Sequence, residues 1–279
     1  MATIQNLKKK LQVILSTQKI TKAMKTASTV KYAKLSVLYS DCEKYEEQCR
    51  RMYESFRNDI NSVFSLKNPD APILYILLSS DKGMCGSFNS ELTSFFEKLL
   101  REQKKAPKII TCGKKGTDYL DNKKISYTKS YLFSDVPSYS DAYELFTELK
   151  KLIENGEISS VKIVYPKYTN MMVQKPVCEE LFTFDDMAIS SVEEPLFVPD
   201  RQTVIHCTAE KILVSILYKK ILETALGAQA ATLTTMRSAY DTACEYSAQL
   251  EMQINHQRQS QVTADVIEIS SEYTMKEEE

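Results

Sequence analysis

The side chains in this chain that could do chemistry form a short inventory. There are seven cysteines (Cys42, Cys49, Cys85, Cys112, Cys178, Cys207 and Cys244), two histidines (His206 and His256) and two glycine-bearing turns. The first turn runs Ser79, Ser80, Asp81, Lys82, Gly83, Met84, Cys85, Gly86 and fits neither GxGxxG nor GxxxxGK[ST], so it supplies no phosphate loop. The second, Cys112, Gly113, Lys114, Lys115, imitates the end of such a loop, but Lys108 stands where the earlier glycine is required. Cys85 as a nucleophile would need a positioned base, and both histidines belong to the C-terminal third. A tight turn with Cys85 packed and Asp81 and Lys82 as a weak surface pair accounts for the segment. No CxxC occurs, so no structural zinc is expected, and no carboxylate pair or Ser/His/Asp set can be assembled. The chain reads as non-catalytic, with no cofactor and no direct nucleotide binding expected.

Composition constrains what must hold these residues. With 43% apolar residues in 279, the chain can fill a real core. Its 36 basic and 37 acidic side chains nearly cancel, giving no reason to expect a nucleic-acid binder. The start MATIQNLKKKLQ has no apolar signal region, and no run approaches the roughly 18 apolar residues that span a bilayer. The expectation is a chain neither secreted nor integral, with reduced thiols; Cys42 and Cys49, one heptad apart, suit a buried helix face.

Glycine and proline divide the sequence in three. No proline precedes Pro69, no glycine precedes Gly83, and after Pro199 Gly227 is the lone breaker of either kind. This predicts helical arms over 1–68 and 200–279 and an inserted globular domain over 69–199. In the C-terminal arm, alternating spacings of three and four select Leu226, Gln229, Leu233, Met236, Tyr240, Ala243, Ser247, Leu250 and Ile254, a coiled-coil stripe. The N-terminal arm repeats the spacing in blocks: Ile4, Leu7, Leu11, Ile14; then Ile20, Ala23, Ala27, Val30; then Leu38, Cys42, Tyr45, Cys49, Met52, Phe56. The jumps between blocks predict phase breaks in the seam. Residues 1–40 carry eight Lys and no acid, whereas 240–279 carry nine acids against Arg258 and Lys276, which favours an antiparallel helix pair.

The middle alternates strand and helix patterns. Ile73–Leu78, Ile109–Thr111 and Val161–Tyr165, the last ended by Pro166, read as buried strands. Leu92, Phe95, Phe96, Leu99 and Leu100 make one amphipathic face, and Ala142, Leu145, Phe146, Leu149 and Ile153 another. The second opens on Ser138 with Asp141 three residues on and closes at Asn155 and Gly156. The predicted fold is α/β: a long antiparallel coiled coil of the terminal helices with an inserted Rossmann-like parallel-sheet domain.

Three strings then become specific. Gln18, Lys19, Ile20, Thr21, Lys22, Ala23, Met24, Lys25 resembles the KITKAMK segment of the gamma-subunit family of rotary F-type ATP synthases. Ser80 through Asn89 resembles that family's SDRGLCGGFN turn, with Asp81, Gly83, Cys85 and Gly86 at the matching places. Arg258, Gln259, Val262, Thr263, Asp265, Glu268 and Ile269 resemble its closing RQxxITxE..EI signature. The three lie in the right order and span nearly the whole chain. Departures occur where the family's SE-x-x-ARM stretch reads Gly227, Ala228, Gln229, Ala230, Ala231, Thr232, Leu233, losing one acid at Ala228 and one Arg at Thr232, and where Ser270, Ser271 and Glu272 replace a closing Gly-Ala.

The resemblance implies a central rotor shaft that couples ion-driven rotation of a c-subunit ring to conformational change at catalytic beta subunits. Implied partners are the alpha and beta subunits of the catalytic hexamer, the epsilon subunit and the c ring. Lys22, Met24 and Lys25 match residues near a beta-subunit torque loop; Arg258, Gln259 and Thr263 match residues that bond a second beta-subunit loop. The shaft's outer face is expected to be polar, without large apolar patches. The implied location is peripheral, on the cytoplasmic face of a bacterial inner membrane. A non-rotating scaffold or tether with an α/β partner-binding domain is the competing reading; an enzyme with a coiled-coil arm would need the missing nucleotide motif.

Overall fold

The computed structural model describes residues 4–55, 68–103, 105–181 and 200–277. In chain order the elements are α1 (Ile4–Ser55), β1 (Leu74–Leu78), α2 (Phe88–Arg101), β2 (Lys108–Cys112), α3 (Lys114–Lys123), β3 (Lys129–Tyr131), α4 (Tyr139–Glu154), β4 (Val161–Tyr168), β5 (Gln174–Glu180) and α5 (Arg201–Glu277). Two compact units form: Met1–Ala27 with Thr235–Glu279, and Ser28–Thr234.

The second unit is built on a five-stranded sheet of order β3-β2-β1-β4-β5. β1 pairs parallel with β2 and β4, and β2 with β3; Ile76 lies opposite both Ile110 and Ile163. Period-two alternation sends Leu74, Ile76 and Leu78 to one face and Tyr75 and Leu77 to the other, and all five are buried. The first face packs on α4 and α5 through Leu145, Leu149, Ile212 and Leu217, the second on α2 and α3 through Leu92, Phe96 and Leu120. A central strand covered on both sides is why its sequence is an unbroken apolar run.

The sheet is mixed rather than wholly parallel, because β5 returns antiparallel to β4. Pro166 does not end β4, which runs on to Tyr168. Pro166 lies opposite Pro176, in the same parity as the Tyr168–Gln174 pair, while Thr169 donates to the Val173 carbonyl at 3.1 Å in the alternate parity. The two prolines thus occupy a wide pair whose N–H positions face away from the ladder, so neither removes a bond. α4 opens as expected: the Ser138 N–H donates to Asp141 at 2.8 Å, and Gly156 just past its end has φ 66°. β3, β5 and α3 carry no periodic signal; in α3 only Gly116 and Leu120 are buried.

Antiparallel pairing is explicit within each unit. In the first, Gln18 bonds Ala243 and Ser247 while Lys25 lies over the Tyr240 ring, so α1 advances as α5 recedes. In the second, Leu35 and Cys42 cluster with Leu222 and Leu226, Lys219 bonds Glu46, and Ser215 bonds Cys49. The C-terminal stripe stands as read: all nine positions from Leu226 to Ile254 are buried or half-buried.

The N-terminal seam differs from its reading. Ile20 and Val30 are 60% and 66% exposed, and Ala23 and Ala27 face outward. The inward residues are Ile4, Leu7, Leu11, Ile14, Gln18 and Thr21 in the first unit, and Ser28, Tyr32, Leu35, Tyr39, Cys42, Glu46 and Cys49 in the second. With half-buried Lys25 between the two sets, the spacing is three and four throughout, so there is no phase break. Polar side chains hold the register, and reading only apolar residues moved the stripe to the wrong face. Thr21 satisfies its hydroxyl on the Thr17 carbonyl at 2.9 Å, which lets it sit inside. Tyr45 is 48% exposed rather than inward, and the side chains of Met52 and Phe56 lie outside the described residues. The outer face is not purely polar: besides Ile20 and Val30, Val13, Val37 and Met252 are exposed, and Val262, Val266 and Ile269 share one exposed helical face.

Candidate functional site

The turn after β1 is held by its own side chains. The Asn89 amide donates to the Ser80 hydroxyl at 2.7 Å and the Cys85 sulfur at 3.1 Å, and the Ser80 hydroxyl reaches the Lys82 carbonyl at 2.7 Å. Met84 and Gly86 take left-handed φ of 65° and 59°, and Met84 stays 62% exposed at the tip. Cys85 is buried, which pushes its thiol pKa up, so it is not a ready thiolate. Gly83 is exposed.

A small, partly open crevice lies at the carboxyl ends of β1 and β2, walled by Ser79, Asp81, Gly113, Asp135, Thr224 and Gln229. In dinucleotide-binding folds the helix that follows such a strand offers its N-terminal N–H groups to phosphate. Here the chain occupies them itself: Lys114 N–H donates to the Asp81 carboxylate at 2.9 Å, Lys115 N–H to the Ser80 carbonyl at 3.0 Å, and Gly116 N–H to the Ser79 hydroxyl at 2.8 Å. Burial raises the Asp81 pKa, and the Lys114 N–H opposes that rise. Gly113, at φ 103°, is compulsory, since a Cβ there would meet the Ser79 carbonyl oxygen at 2.2 Å.

The turn also packs on α5. Cys85, Phe88 and Ala228 form one buried cluster, and a Cβ on Gly227 would come within 3.2 Å of Phe88 and 3.3 Å of Gln174. That contact is a physical reason for small residues at Gly227 and Ala228. Asp135, in the loop after β3, receives Lys31 of α1 at 2.5 Å and Lys82 of the turn at 2.7 Å. Lys31, then Lys82, holds its carboxyl below the usual range. Nothing local in the sequence marks Asp135, because its partners are about fifty and a hundred residues away.

The helical candidates fall into two groups on the first unit. Lys22 is exposed, Met24 and Lys25 are half-buried, and the Lys25 ammonium sits 5.2 Å from the Tyr240 ring centroid. Arg258, Gln259 and Thr263 are exposed on α5, with the Thr263 hydroxyl on the Gln259 carbonyl at 2.9 Å. Since Lys25 pairs with Tyr240, the groups stand about 18 residues apart along α5, or about 27 Å. They form two separate surfaces. Among the described residues no cluster of three or more metal-binding side chains occurs, and no helix is long and apolar enough to cross a membrane.

A family model described as ATP synthase matches residues 3–273. The chain belongs to the ATP synthase family. Similar members include an ATP synthase gamma chain of Rubrobacter xylanophilus, 28% identical over 285 residues and covering 97% of each chain. Another, from Mycoplasmopsis synoviae, is 28% identical over 287 residues, covering 96% of this chain and 97% of the relative. Among solved structures, a chain in the cryo-EM structure of Euglena gracilis mitochondrial ATP synthase (OSCP/F1/c-ring, rotational state 3) shares the fold. It aligns at a TM-score of 0.69 and 17% identity over 97% of this chain and 93% of that one. A rotor chain of the same enzyme in rotational state 1 aligns at 0.64 and 17% identity, covering 93% and 98%. Within this family the long terminal helices and the central sheet are thus shared features.

Proposed function

We propose that this chain is the gamma-type central shaft of a rotary F-type ATP synthase, a subunit of the complex that turns but does not itself hydrolyse ATP. The observation that carries the reading is the seam, in which α1 and α5 run antiparallel with unbroken three-four spacing in a chain matched to the family from end to end. Two wrapped helices resist bending and twisting better than one. An asymmetric shaft presents a different surface to each catalytic site it faces, and so biases each site's open or closed state by its differential contacts.

In this reading Lys22, Met24 and Lys25 meet one loop of a beta subunit and Arg258, Gln259 and Thr263 another. The exposure of Lys22, Arg258, Gln259 and Thr263, with Met24 and Lys25 half-buried, and the separation of about 27 Å between the groups fit two contacts at different depths in a sleeve. The exposed Val262, Val266 and Ile269 face suits a partner cavity that closes round the end of α5. The α/β domain faces the epsilon subunit and the c ring, through which the chain attaches peripherally to the cytoplasmic face of a bacterial inner membrane. The turn at Asp81, Gly83, Cys85 and Gly86 braces that domain against α5.

Copurification tests the assembly: one copy of this chain is expected per three alpha and three beta subunits, and recovery of an unrelated assembly would favour the tether. Rotation is tested by a reducible crosslink between this chain and a beta subunit. It should stop ATP-driven turnover until reduced; turnover that continues in the crosslinked complex defeats the proposal.

A further inference from the structure

Within the second unit α5 rests on the sheet through an apolar face that includes Ile205, Ala209, Ile212, Leu213, Leu217 and Ile221. Burial of that face opposes a large roll of the helix, which would expose it to water, but apolar contact is non-directional and leaves small changes of azimuth less sharply defined than a hydrogen bond does. Fixing the azimuth finely takes directional bonds; Glu210 receives Lys150 of α4 and the Tyr218 hydroxyl donates to the Pro137 carbonyl, while the bonds from α5 to the sheet itself come, among the described residues, from Lys220 and Glu223. The Lys220 ammonium, with 15% side-chain exposure, donates to the Tyr165 hydroxyl and to Glu179, each at 2.5 Å. One turn on, the Glu223 carboxylate accepts the Tyr168 N–H at 3.0 Å, and Glu223 is only 3% exposed. Lys220 thus meets the Tyr165 side chain and Glu223 the Tyr168 backbone, both on β4. The Tyr168 hydroxyl in turn meets that of Tyr32 on α1 at 2.7 Å.

A buried carboxylate is costly, and an apolar residue of similar volume would fill the same space more cheaply. What the two charged side chains add to packing is a sharper azimuth. We propose that Lys220 and Glu223 are positioning residues that fix the rotational phase of α5 against β4 and β5, so that torque on the α/β domain reaches the helix without roll. This rests on the rotor reading above and goes beyond the contacts with partner subunits. Tyr168 is the joint, since its N–H holds α5 and its hydroxyl holds α1.

The test uses the assembled complex in sealed membrane vesicles, with ATP hydrolysis and ATP-driven ion pumping measured side by side. Lys220→Met keeps the aliphatic stem and removes both donors, Glu223→Leu removes the acceptor, and Glu223→Gln keeps an acceptor oxygen for Tyr168. Pumping by K220M and E223L is expected to fall about fivefold while hydrolysis stays within about twofold, and E223Q to follow wild type in both. Hydrogen exchange at the Tyr168 amide should quicken about tenfold in E223L and remain slow in E223Q. Equal loss of pumping and hydrolysis, or exclusion of E223L from the complex while E223Q enters, overturns the phase-setting role in favour of a plain folding role. Should K220M fail to assemble, the E223L and E223Q pair decides alone. Failure of the wild-type chain to enter the complex strikes instead at the rotor reading.

Discussion

The side-chain amide of Gln18 donates to the Ser247 hydroxyl at 2.8 Å and to the Ala243 carbonyl at 3.0 Å, placing a polar bond inside the helix seam. The Ser247 hydroxyl in turn donates to the Cys244 carbonyl at 2.8 Å, so it both accepts and donates. A polar residue at a seam position sacrifices stability but admits one register, because any slip leaves it unpaired. A shaft whose two helices must keep their mutual phase benefits from that trade.

Gln18→Leu should therefore separate stability from register. Urea unfolding of the full chain is expected to move by less than about 1 kcal/mol, since an apolar group replaces a satisfied polar one. Spin labels at exposed Thr26 and Asp241 should show one distance in wild type and a second, slipped population in Q18L. A single unchanged distance in Q18L would remove the register role.

Gly227 tests the contact between the turn and α5. Gly227→Ala gains up to about 1 kcal/mol of helix propensity and meets Phe88 and Gln174 at distances their side chains must yield to, so near-neutrality is expected. Gly227→Val adds two methyls against the same ring and should cost about 2 kcal/mol in urea unfolding. Equal stability of the two variants would mean the contact is loose.

Much of this architecture was legible because the physics was local. The apolar run of β1, the capping acid at Asp141 and the three-four stripe of α5 each follow from burial or from neighbours within one turn. What escaped depended on distant groups. The true face of α1 between Gln18 and Ser28 is polar and is identified only by what it touches on α5, such as Ala243. β5 is an edge strand with no fully buried position, and Pro166 reads as a terminator until Pro176 stands opposite it. In the candidate site, the surface positions Lys22, Arg258 and Gln259 were found by resemblance alone. The internal braces at Asp135, Lys220 and Glu223 had no local signature.

Asp135 predicts an acid-side effect. Its folded pKa lies below the unfolded value of about 3.9, so the bonds from Lys31 and Lys82 stabilise the chain above that pH and are lost as pH falls through the folded value. Asp135→Asn should destabilise at pH 7 by up to about 1 kcal/mol, a modest figure because the pair is partly solvated. The gap between variant and wild type should close toward pH 3. A gap that is constant with pH would show that charge is not its source.

Glu223 has the opposite sign. Burial raises its folded pKa above the unfolded value of about 4.3, so its ionisation costs stability as pH rises through the folded value. Lys220 and the Tyr168 N–H reduce that cost, and Glu179 adds to it. Glu223→Gln keeps the acceptor and sheds the charge, so the variant should be more stable than wild type at pH 8. The advantage should shrink toward pH 4, where the wild-type carboxyl takes up its proton. Urea titrations of the full chain across that range, with the Tyr168 amide followed by exchange, decide the matter. An advantage that instead grows on acidification would mean that Lys220 holds Glu223 as a net favourable ion pair.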